Sequence, residues 1–141
     1  MNKNSFDAFV AAWNEGNLEA LDEHIVSNFV RRVPETMNKN ANNLAELKER
    51  ISDFRKAFPD LKVTIEDAQF LENRSVAQWT FTGTNTGPGD HPPTGKAVSV
   101  PGVSLHRYED GKILEEDVYF DVLGFMAQLG IVKLPEAAAS A

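Results

Sequence analysis

At Pro59 the apolar pattern of the chain changes period, and that change limits what the chain can fold into. Before it, apolar residues recur at helical spacing. Phe6, Phe9, Val10 and Trp13 form one stripe, and Leu44, Leu47, Ile51, Phe54 and Phe58 form another. Ser5 suits the N-cap of the first helix and Gly16 its stop. Asn43 with Glu46 reads as a capping box that opens the second long helix, and Pro59 ends it. A short helix from Asn17 and a short strand over 28–33 come between them. From Leu61 onward the period is two. Strands are expected at Leu61, Val63 and Ile65, over 76–82, and on both sides of Asp110-Gly111, a hairpin turn pair. Segment 83–95, rich in Gly and Pro, reads as a long exposed loop. A last helix over 122–129 ends at Gly130. Helices first and strands afterwards give an α+β fold on one mainly antiparallel sheet. The 141 residues make one domain over 1–133, with a flexible tail over 134–141.

Charge and composition narrow the function. The net charge of −7 repels phosphate backbones and anionic lipid surfaces, so neither nucleic acid nor membrane is an expected partner. With no Cys, the chain has no disulfide, thiol nucleophile or zinc–thiolate site. That fits a reducing compartment. With no apolar signal core at Met1–Ser5, it leads to a cytoplasmic expectation. His24, His91 and His106 are scattered without metal-ligand spacing, so no metal is expected. Segment 89–96 fails as a phosphate loop, because Ala97 follows Lys96 and a strand follows in turn. No Gly-x-Ser-x-Gly elbow is present.

The hairpin decides which side chains share a face. Pairing about Asp110-Gly111 sets Arg107 opposite Leu114 and His106 opposite Glu115. A bulge at Pro101-Gly102 would then gather Val98, Val100, Val103, Leu105, Leu114, Val118 and Phe120 on one apolar face. Ser99, Ser104, His106, Tyr108, Glu115, Asp117, Tyr119 and Asp121 would share the other. Two readings stand open. The apolar face packs the helices and the acidic row meets water, or the mixed face lines a cavity and the apolar face meets another subunit.

Several segments together resemble a known family. Trp79 to Gly87 (Trp-Thr-Phe-Thr-Gly-Thr-Asn-Thr-Gly), Pro92-Pro93-Thr94-Gly95-Lys96, Asp110-Gly111-Lys112-Ile113, Glu115, Asp121 and Gln128-Leu129-Gly130 occur in that order. This is similar to the SnoaL-like polyketide (ester) cyclases, from about Phe6 to Gly130. The resemblance implies a cone-shaped α+β barrel of the nuclear-transport-factor-2 (NTF2) type, whose curved sheet wraps a long helix around a pocket. It also implies a homodimer across the sheet. Members of the family close a ring by intramolecular aldol chemistry without metal or cofactor. Their acid/base is an Asp at the end of the last strand, which places Asp121 in that role. An assisting His on the neighbouring strand would be His106. The chain departs from the family pattern at Arg31-Arg32 and at Asn85, where members often carry His.

An aldol closure needs a base for a proton next to a carbonyl and an acid for the alkoxide that forms. A carboxyl among apolar groups does both, because burial raises its pKa. Asp121 and His106, on the resemblance, are the expected catalytic residues. Trp13, Arg32, Phe54, Trp79, Glu115, Tyr119 and Phe125 are expected to contact a hydrophobic, carbonyl-bearing small molecule. Arg31 and Arg32 are adjacent, so one of the two faces inward on a strand. Three alternatives stay open: Asp121 as an N-cap, His106 as an exposed partner of Glu115, and a non-catalytic dimeric module that holds a small ligand. On the same scaffold an isomerase needs one carboxylate base, and an epoxide hydrolase needs paired carboxylates, which Glu115 and Asp117 offer.

Overall fold

The computed structural model describes residues 1–37 and 39–135. The expected tail lies outside the described residues from 136 on. Helix α1 (Asn2–Glu15) is followed by a 3-10 turn at Glu19–Glu23 and strand β1 (Ile25–Arg32). Helix α2 (Leu44–Ala57) precedes β2 (Lys62–Phe70), β3 (Arg74–Thr84), β4 (Ala97–Glu109) and β5 (Lys112–Phe120). Helix α3 (Val122–Gln128) closes the order. The strands form one open sheet in the order β1-β5-β4-β3-β2. Strand β1 runs parallel to β5, and the other pairs are antiparallel. The segregated helices and strands of the sequence thus fold as an α+β unit. Among the described residues, no helix is long and apolar enough to cross a membrane.

Ser5 does not cap α1, which starts at Asn2 and holds Ser5 buried inside it, but Gly16 ends that helix in the left-handed conformation and the signals of α2 act as their chemistry requires. Asn43 caps α2 by accepting from the Glu46 amide at 2.8 Å, while the Glu46 carboxylate accepts from the amide of Asn42 at 3.1 Å. The reach-back therefore lands one residue earlier than in a capping box. Asp110 and Gly111 both hold positive φ, at 52° and 80°, as a tight two-residue hairpin demands.

Two features of the sheet differ from expectation, and both move the faces. Strands β3 and β4 pair without interruption through Trp79↔Gly102 and Thr80↔Pro101, so there is no bulge at Pro101-Gly102. Gly102 has another job. A Cβ there would stand 2.3 Å from the Trp79 ring, so glycine lets the indole lie against β4. The irregularity falls instead at Leu114: Tyr108 pairs with Ile113, but Arg107 pairs with Glu115. One unpaired residue shifts the register by one, and a one-residue shift exchanges faces. His106 therefore stands opposite Glu116, not Glu115.

The inner face alternates cleanly as Val98, Val100, Gly102, Ser104, His106 and Tyr108 on β4, with Glu116, Val118 and Phe120 on β5. Leu105, Glu115, Asp117 and Tyr119 take the outer face. The expected partition of the sheet does not hold, since the inner face carries apolar and polar residues together. Val98, Val100 and Val118 are buried within the protomer, so they do not form an outer apolar interface. Two apolar clusters pack beneath the sheet. One joins α1, α2, β1 and the hairpin through Phe9, Trp13, Phe29, Leu47, Ile51 and Ile113. The other joins the end of α2 to β4 and α3 through Phe58, Leu61, Val98, Val100, Phe125 and Leu129.

The loop after β3 is less exposed than its composition suggests. Asn85 is buried; its side-chain amide donates to the Ala57 carbonyl at 3.2 Å and its side-chain oxygen accepts from the Thr94 amide at 2.9 Å. The loop is thereby tied to the end of α2.

Candidate active site

A cavity of about 80 Å³ opens between the helices and the concave side of the sheet. Its wall draws on every layer: Phe6, Phe9 and Trp13 from α1, Phe54 from α2, Trp79 and Phe81 from β3, and Phe125 from α3. The far end is an aromatic nest, in which Phe54, Phe58, Phe81 and Phe125 stand with ring centres 5.4 to 6.4 Å apart. Into this apolar wall β1, β4 and β5 set three charged or titratable side chains, Arg31, His106 and Glu116.

The three form one buried group. Arg31 is 8% exposed, and His106 and Glu116 are each 2% exposed. Arg31 Nε donates to Glu116 Oε1 at 2.9 Å, and His106 Nε2 stands 2.9 Å from Glu116 Oε2. A carboxylate only accepts, so the proton on that contact belongs to His106 Nε2. Burial by itself would raise the Glu116 carboxyl. His106, Arg31 and the Ser104 hydroxyl outweigh it and hold the group below the usual carboxyl range. Trp79 Nε1 donates to Ser104 Oγ at 2.9 Å, which fixes both the indole and the hydroxyl. Arg31 also lies 5.4 Å over the centre of the Trp13 ring.

Among the described residues, two polar atoms of this group are buried without a protein partner: Arg31 Nη1 and His106 Nδ1. Buried polar groups are nearly always satisfied, so a pair of such atoms in residues that line a cavity is a place for water or a ligand to bond. Beyond His106, Tyr108 shares a hydrogen bond of 2.8 Å with Ser75, and burial pushes its phenol up to about 12. It stays neutral. Among the described residues, no three His, Asp or Glu side chains converge as a metal set.

Of the residues singled out in the sequence, Trp13, Phe54, Trp79, His106 and Phe125 stand in the cavity wall. Four others do not. Arg32 faces outward and pairs with Asp117 at 2.6 Å and Glu115 at 3.3 Å; its neighbour Arg31 takes the inward place. Glu115 lies on the outer face between Arg32 and Arg107. Tyr119 is 61% exposed. Asp121 is exposed, and its carboxylate caps α3 by accepting from the Gly124 amide at 2.9 Å. The expected orientation of Asp121 into the hollow is thus corrected: the orphan donors of a helix start hold it outside. Asp121→Ala is expected to lower the unfolding free energy by about 0.5–2 kcal/mol, whereas Asp121→Asn, an equally good cap, leaves it nearly unchanged. Urea unfolding of the two variants checks this.

Glu116 was visible in the sequence on the face of Val118 and Phe120. Its significance depends on Leu114 being unpaired, which carries no sequence signal.

The SnoaL-like polyketide cyclase family matches residues 4–129. This chain belongs to that family. No curated protein sequence matches it. Among solved structures, IdmH, a candidate polyketide cyclase from Streptomyces antibioticus, superposes with a TM-score of 0.78 at 23% identity, over 92% of this chain and 99% of IdmH. AclR, a candidate hydroxylase from Streptomyces galilaeus, superposes at 0.80 with 26% identity, over 99% of this chain and 87% of AclR. A hypothetical protein from Catenulispora acidiphila with a ketosteroid isomerase-like fold, solved with trimethylamine, gives 0.77 at 17% identity, over 94% of this chain and 96% of its own. The architecture of this SnoaL-like chain is therefore the NTF2-like cone, with its sheet left open.

Proposed function

We propose that this SnoaL-like protein is a cofactor-free acid/base enzyme that closes a ring in a hydrophobic, carbonyl-bearing small molecule by an aldol-type step. The observation that carries the reading is His106, which lines the apolar cavity with Nδ1 buried and without a protein partner among the described residues, its other nitrogen held by the Glu116 carboxylate. In the neutral ring, Nδ1 is a bare lone pair, and a carboxylate behind an imidazole fixes its tautomer and supports the charge it gains.

His106 Nδ1 takes a proton from the carbon next to a carbonyl. The C–H electron pair becomes an enolate, whose oxygen accepts from Arg31 Nη1. The enolate carbon attacks a second carbonyl of the same molecule, forming the new C–C bond and an alkoxide. The alkoxide recovers the proton from His106. Acid and base are then one residue, as the sequence reading required, but the residue is His106 instead of Asp121. The cavity of about 80 Å³ is partly open, which suits a substrate that places its reacting head inside while the rest extends outward.

The hydrolase alternative loses its carboxylates, because Glu115 and Asp117 face outward. The test is hydrogen–deuterium exchange at the α-carbon of simple 1,3-diketones in D₂O, followed by NMR. Exchange above the buffer rate that depends on His106 supports the reading. Exchange that depends on Asp121 and not on His106 overturns it.

The same reading includes a homodimer across the outer face of the sheet, where Val76, Leu105 and Tyr119 are exposed. Light scattering at micromolar concentration checks it, and a monomer there removes it.

A further inference from the structure

We infer that the cavity is selective for a flat, delocalised oxyanion, a carboxylate or a 1,3-dicarbonyl enolate, anchored on Arg31 Nη1. This rests on the catalytic reading above and names the class of head group that the site takes.

The unpartnered polar atoms of the wall, among the described residues, are a guanidinium donor and an imidazole nitrogen, with no carboxylate oxygen among them. Both Glu116 oxygens are occupied, one by Arg31 Nε and one by His106 Nε2. Ser104 Oγ accepts from Trp79. The buried side-chain atoms left without a partner, among the described residues, are Arg31 Nη1, which only donates, and His106 Nδ1. A ligand that brings donors finds no free carboxylate oxygen. A ligand that brings acceptor oxygens finds a guanidinium edge.

Charge favours an anion over a neutral carbonyl. Glu116 divides its oxygens between two partners, so Arg31 meets only one of them. The outward pair shows the contrast: Arg32 places Nε and Nη2 on both oxygens of Asp117 and sits in water besides. Arg31, more than nine-tenths buried, has neither. An anion adds a charge–charge attraction to the guanidinium that a neutral carbonyl lacks, and that attraction grows away from water. The planar guanidinium, lying over Trp13, presents a fork matched to a planar O–C–O group. An enolate made in the proposed reaction has the same delocalised charge, so a site that prefers carboxylates also favours that intermediate.

Three probes of nearly equal shape separate the possibilities: benzoate, benzamide and benzamidinium. Trp13 and Trp79, the two tryptophans of the chain, both stand in the cavity wall, so their fluorescence reads occupancy. At pH 7 benzoate is expected to saturate the signal at least tenfold more tightly than benzamide, and to slow diketone exchange competitively. Benzamidinium is expected to give no saturation. Arg31→Lys keeps the charge and loses the fork, and is expected to erase the benzoate preference. Where that variant fails to fold, the wild-type comparison decides alone. Benzamide binding as tightly as benzoate, saturation by benzamidinium, or no saturable benzoate binding overturns the inference. Exchange that still depends on His106 in any of those cases leaves the catalytic reading standing. A benzoate preference without His106-dependent exchange has the reverse meaning.

Discussion

Glu116→Gln is expected to lower the unfolding free energy by about 3–5 kcal/mol, the range for removing one partner of a buried ion pair. The carboxylate is the common acceptor for Arg31 Nε and His106 Nε2. A neutral amide offers one oxygen in place of two, and leaves the buried Arg31 guanidinium over Trp13 without its counter-ion. Domains of this size are stable by about 5–15 kcal/mol, so the loss is a large share of the total. The midpoint of thermal unfolding is expected to fall on the order of 10 °C. The triple variant Arg31→Met/His106→Phe/Glu116→Leu is expected to recover most of it, because replacing a whole buried charged group by apolar side chains is often neutral or better, whereas a double variant would leave His106 Nε2 without an acceptor. A triple variant as unstable as the single one sinks the account. The pH dependence has a definite sign. The folded-state pKa of Glu116 lies below its unfolded value, close to 4.5. Its contribution is therefore fully present above that unfolded value and is lost as pH falls through the lower, folded value. The stability gap between wild type and Glu116→Gln should be constant near neutrality and narrow in acid, as urea titrations at pH 3 to 7 would read.

The fold was largely legible in the chain because its signals are local. The stripes at 3.6 residues define α1 and α2, Asn43 and Pro59 bound the second of them, and Asp110-Gly111 turns the hairpin. None of these needs knowledge of what lies across the molecule. The site was legible only in part, for a physical reason. Trp13, Phe54, Trp79 and Phe125 reach the cavity wall because large apolar rings must be buried wherever the fold puts them. Which charged residue joins them depends on strand parity, and parity can be reversed by one residue. Leu114 left out of the ladder sets Glu116 inward and Glu115 outward. Along β1 the choice between Arg31 and Arg32 turns on the same parity, fixed by pairing with β5 through Arg31↔Glu116 and Arg32↔Asp117. Three strands thus carry two charged rows, one buried and one in water, built from adjacent residues of the same types. Asp121 is a different case. Its position before α3 offered two uses, and the cap uses the carboxylate for the amide of Gly124.

His106→Gln is expected to reduce catalysed α-proton exchange by about 10²–10⁴-fold, the usual worth of a placed general base. The substitution is chosen so that fold and chemistry separate. The glutamine amide still has N–H groups for Glu116 Oε2, so the buried carboxylate keeps a donor in place of His106 Nε2. It has no basic nitrogen to replace Nδ1. The loss should therefore fall on the rate constant at saturation, with the diketone concentration at half-saturation little changed, since Arg31 and the aromatic wall still hold the substrate. A matching loss of unfolding stability would instead mark His106 as a structural member of the charged group. Asp121→Asn, which preserves the cap, is expected to exchange at close to the wild-type rate. The reverse pattern, with Asp121→Asn inactive and His106→Gln unaffected, would move the chemistry out of the cavity to the start of α3. The two variants pull in opposite directions because the positions differ in one property: Nδ1 of His106 has no partner among the described residues, and the Asp121 carboxylate already has one.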